Sequence, residues 1–323
     1  MSYIRGLKKF FVSIMCMLIA ILPVSYASAS SESQELSKEP KPIFEEVVNP
    51  ESVVEVSVNE YEEIMRLQSS TDEELLSLGW TDEEINDLRS FDYEEEFKNR
   101  IRAERLQNIV VGRAYESFST NDDIDISKDL TPEELYSRSA TISLRSGVNR
   151  VENNGEDWYF YYEWFWMGNP LVVNTDILGV RGIGSVGGTI ALPTIMGDSY
   201  TMTGYWSASH TVWEGYKRTN YEKVDLGLAE AKFELLEYVS TPQGLKQHYA
   251  KDGYGYVHYN NSTSMERMSL AIQYGHSKIK GNPGIDISAT LPPSLGVGFS
   301  FTKNVVTEAK VIETYRQDGS IVK

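Results

Sequence analysis

Apolar and polar positions alternate through most of the second half of the chain. Residues 200–212 do so strictly, with Met202, Gly204, Trp206, Ala208, His210 and Val212 on one side and Thr201, Thr203, Tyr205, Ser207 and Ser209 on the other. That period of two predicts a half-solvated antiparallel strand. Residues 246–259 read as a hairpin around Asp252-Gly253, a strong two-residue turn signal. Residues 267–279 alternate again, Asn282-Pro283-Gly284 turns, and residues 284–290, 296–302 and 305–314 predict three more strands. Residues 226–239 have helix-forming composition but alternate at Ala229, Ala231, Phe233 and Leu235, and are assigned to a strand. Short strands with turns at this spacing predict an antiparallel β-sandwich, with a barrel as the alternative.

The pattern ahead of residue 140 is different. Over residues 57–119 it is helical. Thr71-x-x-Glu74 and Thr81-x-x-Glu84 each place a hydroxyl at a helix N-cap and a carboxylate three residues on, where the two satisfy backbone donors reciprocally. Gly79 fits a left-handed helix ending, with Trp80 packing back on the preceding turn. Leu75, Leu76, Leu78, Ile85 and Leu88 supply the buried side of this helix pair. Tyr93, Phe97 and Ile101, four apart, continue as a longer amphipathic helix. Residues 30–56 mix Ser, Glu and three prolines and read as a disordered linker.

The first 29 residues change the setting. Arg5, Lys8 and Lys9 precede an apolar run over 10–22 and the small-residue site Ala27-Ser28-Ala29, the layout of a secretory signal peptide whose core is too short to span a bilayer. Cleavage near Ala29 makes the mature protein secreted and extracellular, and removes Cys16, the sole cysteine. Disulfides, a thiolate nucleophile and cysteine-bound zinc are thereby excluded. No second long apolar run follows, so no transmembrane helix is expected in the mature chain.

Charge divides the chain as the periodicity does. The formal charge is −17. Residues 30–140 carry 29 acidic and 11 basic side chains, a net of −18, against −2 for residues 141–323. Such a field repels nucleic acid and anionic lipid. The expected architecture is α+β: a signal peptide (1–29), a linker (30–56), an acidic all-α N-terminal region (57–139) and an antiparallel β-sandwich C-terminal domain (140–323).

The most unusual local run is Trp158-Tyr159-Phe160-Tyr161-Tyr162-Glu163-Trp164-Phe165-Trp166. As a strand it sets Trp158, Phe160, Tyr162, Trp164 and Trp166 on one face and Tyr159, Tyr161, Glu163 and Phe165 on the other. One face fills a core. The second is either covered by a helix or loop, or open as an aromatic platform that stacks on sugars or apolar partners. Trp158, Trp164, Trp166, Tyr159, Tyr161, Glu163 and Phe165 are therefore the candidate binding residues.

Residues 123–134 resemble an EF-hand calcium loop. Asp123, Asp125, Ser127, Asp129 and Thr131 fall at its first, third, fifth, seventh and ninth places, and Glu134 at the twelfth, where the family supplies a bidentate carboxylate. The resemblance implies weak Ca2+ binding through those six residues. It covers twelve residues only and departs at Lys128, where the family has glycine for a sharp turn. The competing account is that Thr131-Pro132-Glu133-Glu134 starts a short helix after an acidic loop.

Other motifs are weaker. Gly182-Ile183-Gly184-Ser185-Val186-Gly187 matches the dinucleotide fingerprint by letter, but Gly188 and Pro193 follow where a helix should open, so a bent strand or glycine-rich loop is expected. His210, His248, His258 and His276 all fall in predicted strands, and in the 246–259 hairpin His248 and His258 point to opposite sides. Glu163, Asp157 and Asp176 lie near the aromatic run, and glycosidase chemistry would need two of them about 5–10 Å apart. Residues 171–196 carry only Asp176 and Arg181 as charges, like a membrane-inserting hairpin or a buried pair of strands.

The expectation is a secreted non-catalytic binding or interaction protein, with a cell-wall glycan or surface protein as partner. The alternatives are a secreted membrane-active protein, pore-forming or antibacterial, and a cell-wall glycan hydrolase.

Overall fold

The computed structural model describes residues 36–77, 80–110, 125–171, 175–207, 212–241, 244–277, 285–286, 299–301 and 305–322. Among the described residues, strands make up 51% and form two large antiparallel sheets, so sheet pairing carries the fold and the helices are a minority. In the eight-stranded sheet β1 (Val54–Asn59), β2 (Thr141–Glu152), β3 (Asp157–Met167), β12 (Gly244–Asn260), β7 (Tyr200–Ser207) and β8 (Trp213–Asn220) lie in that order, and β6 (Thr194–Ile195) and β11 (Leu236–Thr241) also pair with β12. The six-stranded sheet runs β16 (Val305–Arg316), β13 (Arg267–Ser277), β4 (Thr175–Val186), β10 (Leu228–Glu234), β9 (Glu222–Asp225), with β5 (Thr189–Ala191) on β4. β14 (Ile285–Asp286) and β15 (Ser300–Phe301) form a separate pair.

One apolar cluster joins the two large sheets. Trp158, Phe160, Tyr162, Trp164 and Trp166 of β3 meet Leu178 and Val180 of β4, Leu270, Ile272 and Tyr274 of β13, and Val311 and Tyr315 of β16. Each such buried side chain is worth roughly 1.5–3 kcal/mol relative to exposure. The opposite face of the six-stranded sheet carries Ile177, Ile183, Leu228 and Ala271, with Phe299 and Phe301 packed in the same cluster.

The sequence misleads at Asp252-Gly253. β12 runs straight through this pair for 17 residues. Both partners forbid a reversal, because Asp252 is opposite Phe165 on one side and Gly204 on the other. The glycine serves close approach: a Cβ on Gly253 would meet Trp164 Cε2 and Nε1 at 2.5 Å. A bulge at Lys251 shifts the register instead. Ala250 before it and Val257 and Tyr259 after it therefore reach the same core despite opposite parity. The same shift puts His248 and His258 on opposite faces, as expected from the hairpin but through a different device.

The 30–56 stretch also departs from expectation over its described part. Residues 36–52 lie on the protein: Phe44, in the short α1 (Phe44–Val47), is 2% exposed and Ser52 0%. Val54, Val56 and Val58 then alternate with polar residues as β1, paired with residues 141–146 of β2. The helical pattern begins at Glu60, after Asn59 caps α2 (Glu60–Ser69) by accepting from Glu62 N at 3.1 Å.

Helices α3 (Asp72–Ser77), α4 (Asp82–Ser90), α5 (Tyr93–Val110) and α6 (Pro132–Arg138) complete the α elements. The Thr71/Glu74 and Thr81/Glu84 boxes form with both reciprocal bonds, and a third forms at Thr131/Glu134. Leu75, Trp80, Ile85 and Leu88 are buried together with Leu67, while Leu76 is exposed at 46%. Leu78 and Gly79 lie outside the described residues. Tyr93, Phe97 and Ile101 pack with Ile64 and Leu135 in a second small cluster.

Residues 182–188 are strand and turn. β4 ends at Val186, and Gly187 and Gly188, at φ 57° and 77°, reverse the chain into β5. No helix N-terminus follows, so the dinucleotide match has no phosphate-binding geometry. Among the described residues no helix is long and apolar enough to cross a membrane.

Candidate functional site: the outer face of the eight-stranded sheet

Odd-numbered residues of β3 point away from the core, and strand pairing lays them out as rungs. Arg150, Tyr159 and His258 form the first; Tyr161, Tyr256 and Tyr200 the second; Arg145, Glu163, Tyr254, Met202 and Arg218 the third; Ser143, Phe165, Asp252, Gly204 and Tyr216 the fourth. The rings touch along and across these rungs. Tyr159 stacks on His258 with centroids 4.1 Å apart, Tyr161 meets Tyr256 at 4.8 Å, Tyr256 meets Tyr200 at 5.7 Å, and Tyr254 bridges Tyr161 and Tyr216 at 5.9 and 5.2 Å. Guanidinium groups cap the ends, Arg150 over Tyr159 at 3.7 Å and Arg218 over Tyr200 at 4.1 Å.

Cover differs along the face. Residues 36–52 cross the third and fourth rungs and the Tyr161 end of the second: Phe44 lies on Tyr161 at 5.6 Å, Arg145 stacks on Phe44 at 4.1 Å, and Ser37 exchanges two 2.8 Å backbone bonds with Tyr216. Gly147 is bare because Val48 and Ser52 occupy the space of a Cβ. Tyr161 and Glu163 are thus buried, at 0% and 1%. Tyr159, Tyr200, Tyr256 and His258 stay half-buried. A cavity beside α1, lined by Phe44, Glu45, Val48, Pro50, Val53 and Arg145, has a volume of about 130 Å³. That is below the usual range for an enclosed ligand, about 300–1,000 Å³.

A polar border runs beside the open rungs. His258 places Nε2 2.9 Å from Asp157 Oδ1 and Nδ1 3.0 Å from Asp198 Oδ1, and Asn260 donates to Asp157 at 2.6 Å. Burial works against the charge on Asp157, but the bonds from His258, Asn260 and Asn153 outweigh it and hold its carboxyl below the usual range. Burial raises the Tyr159, Tyr200 and Tyr256 hydroxyls, which remain protonated donors at neutral pH.

Beneath the cover, Glu163 accepts from Tyr161 Oη at 3.0 Å and from Arg145 Nη2 at 2.9 Å, and Asp252 accepts from Tyr216 Oη at 2.9 Å and Trp206 Nε1 at 3.1 Å. Burial, the nearby carboxylates and the hydrogen bonds to them push the Tyr161 and Tyr216 hydroxyls well up.

A second charged group is internal. His276, fully buried, faces Asp176 through Nδ1 at 2.9 Å and Glu60 through Nε2 at 3.6 Å; Tyr274 Oη also donates to Asp176, and Tyr93 Oη to Glu60 at 3.0 Å. Burial opposes the imidazolium, yet Asp176 and Glu60 overcome it and the His276 pKa rises to about 10. A ring protonated throughout the physiological range is no general base. Glu60 also accepts from Leu171 N at 2.9 Å, so the group ties α2, β4, β13 and the chain at 171 together.

The residues singled out in the sequence separate accordingly. Trp158, Trp164 and Trp166 are 0–2% exposed in the intersheet core and offer no contact surface. Tyr159 and Phe165 are half-buried on the outer face, and Tyr161 and Glu163 lie under residues 36–52. Asp157 and Glu163 share a face but stand six residues apart, about 20 Å along a strand, too far to flank one glycosidic bond. Asp176 is at 0% exposure with His276.

The EF-hand resemblance meets a different arrangement. Asp123 lies outside the described residues. Asp125 accepts from Ser127 Oγ at 2.6 Å and pairs with Lys128 at 3.0 Å, which push its carboxyl down to about 2. Asp129 faces Lys98 at 3.7 Å, and Thr131 and Glu134 are engaged in their capping box. Lys128 thus supplies a cation where the family has a bare turn. Among the described residues, no group of three or more His, Cys, Asp or Glu is placed to hold a metal ion. His210 lies outside the described residues. Asp198, the Tyr200/Tyr256 pair and the contacts of His258 were missed in the sequence, because residues 246–259 read as a hairpin paired with itself whereas β12 runs straight between β3 and β7.

No family model matches the chain, and no curated protein matches it. Among solved structures with some likeness is AvmM, described as catalysing macrocyclization in alchivemycin A biosynthesis, at 13% identity over 53% of this chain and 87% of that one, with a TM-score of 0.23.

Proposed function

We propose that this is a secreted, non-catalytic binding module, an acidic helical region followed by an antiparallel β-sandwich, whose contact surface is the open part of the tyrosine face and whose partner is a cell-wall glycan. The observation that carries the reading is a set of half-buried rings on one face, Tyr159 stacked on His258 and Tyr256 packed on Tyr200, capped by Arg150 and Arg218 and bordered by Asp157 and Asp198. A pyranose offers an apolar C–H face and a rim of hydroxyls. Flat rings match the face, and carboxylates and guanidinium groups match the rim. Sedimentation of the mature protein with insoluble cell-wall glycan tests it. Retention of the wild type, with at least tenfold weaker retention of Tyr159→Ala and Tyr256→Ala, supports the reading; no retention, or equal retention of the variants, overturns it.

One observation favours a second reading, membrane contact. Ile190, Leu192, Met196 and Leu226 are exposed at 37–48% around the β4–β5 turn and the approach to β10, where Gly227 packs on Pro193. Dye release from liposomes, lost in Ile190→Asp, would establish it; intact liposomes at every protein concentration would remove it.

A further inference from the structure

What residues 36–52 insert into the covered rungs is an amine. Lys41 Nζ stands 3.4 Å from Glu163 Oε2 and 3.9 Å from Asp252 Oδ2. The two carboxylates are fixed without it. Tyr161 and Arg145 hold Glu163, Trp206 and Tyr216 hold Asp252, and all four donors belong to strands of the sheet. The Glu163 side chain is 2% exposed and that of Asp252 16%, whereas Lys41 keeps 27%. The cation is therefore the solvent-reachable member of the group, and its side chain can swing out with no movement of the sheet.

The charge balance asks for that cation. Glu163, Asp252 and Glu45 carry three negative charges here, and Arg145, paired with both glutamates, supplies one positive charge. Lys41 lowers the excess from two to one. Without Lys41, Asp252 keeps the neutral donors Trp206 and Tyr216 and Glu163 shares Arg145 with Glu45, so an ammonium that reaches the two carboxylates is drawn in by the uncompensated charge.

We propose that Glu163 and Asp252, floored by Tyr161, Tyr254 and Tyr216, form a recognition site for a primary ammonium group on a ligand, and that Lys41 is its built-in occupant. A ligand amine displaces Lys41 and makes the same two contacts. The site selects a primary ammonium because the carboxylate oxygens accept N–H bonds that a quaternary ammonium cannot donate. It uses the covered rungs, so it stands or falls separately from glycan binding on the open ones.

The test uses the mature chain and its Lys41→Ala variant, with Lys41→Met as a second variant that keeps the packed stem. At constant ionic strength, methylammonium should raise the Tm of either variant in a saturable way, and tetramethylammonium should not. By calorimetry, Nα-acetyl-lysine methylamide should bind the variants at least tenfold more tightly than wild type, and adding Glu163→Gln should abolish the gain. Equal effects of the two ammonium ions, or equal affinity of wild type and both variants for the blocked lysine, would overturn the proposal while leaving the glycan retention result untouched.

Discussion

On the inner face of β3, Trp158, Phe160, Tyr162, Trp164 and Trp166 are sealed between the sheets; on its outer face, Tyr159, Tyr161, Glu163 and Phe165 alternate with them and meet the 36–52 segment or water. Both faces are aromatic, yet their polar atoms are used differently. Inside, Trp158 Nε1 donates to Gly155 O and Trp166 Nε1 to Tyr274 Oη, short bonds that close within the core. Outside, Tyr161 and Tyr216 donate to carboxylates, and Tyr159 and Tyr200 lie under guanidinium groups. The lesson is that aromatic content does not tell a core from a contact surface. Nor does a carboxylate partner by itself, since Tyr274 in the core donates to Asp176; what marks the outer face is guanidinium groups lying on its rings.

The largest effect should separate these faces. Trp164 stacks on Phe233 at 5.1 Å and touches Tyr274 at the same distance. Trp164→Ala should cost about 3–5 kcal/mol in urea unfolding, whereas Tyr159→Ala should cost under about 1 kcal/mol. Similar losses for the two would erase the distinction.

The next prediction sets the buried histidine against the rim. His276 titrates near 10 in the folded protein against about 6.5 unfolded. A raised pKa contributes stability that is fully present below about pH 6.5 and is lost as pH rises through 10. His276→Gln should therefore destabilise by roughly 3 kcal/mol at pH 6.5, and the deficit should shrink steadily toward pH 10. His258→Gln, changing a half-buried ring, should cost about 1 kcal/mol or less. A His276→Gln deficit independent of pH would show that the ring is not held as the cation.

Part of this was legible in the chain. The alternation in β3, β7, β13 and β16 and the two threonine capping boxes are local signals, and local structure follows them. β1 was hidden because Val54, Val56 and Val58 sit in an acidic, proline-marked stretch, and only pairing with β2 makes them a strand. Asp252-Gly253 was misread because glycine serves turns and close contacts alike, and here the contact with the Trp164 ring decides. The Lys41–Glu163–Asp252 group joins residues more than 200 positions apart in sequence, and no spacing rule reaches that far.

The smallest effect concerns the acidic loop, whose charges are paired like those of the sheet but exposed. Asp125 has Ser127 and Lys128, and Glu134 has the Thr131 backbone. A calcium ion would have to displace Lys128 and break a helix cap to collect its ligands. Even a site of millimolar affinity would stabilise the fold by only about 0.4 kcal/mol at 1 mM calcium. The expected shift in Tm on adding 1 mM calcium, or on chelation, is accordingly about 1 °C or less, read by scanning calorimetry. A rise of several degrees, abolished by Asp125→Asn, would mean that the ion outcompetes Lys128 and that this loop, unlike the tyrosine face, is organised by its ligand.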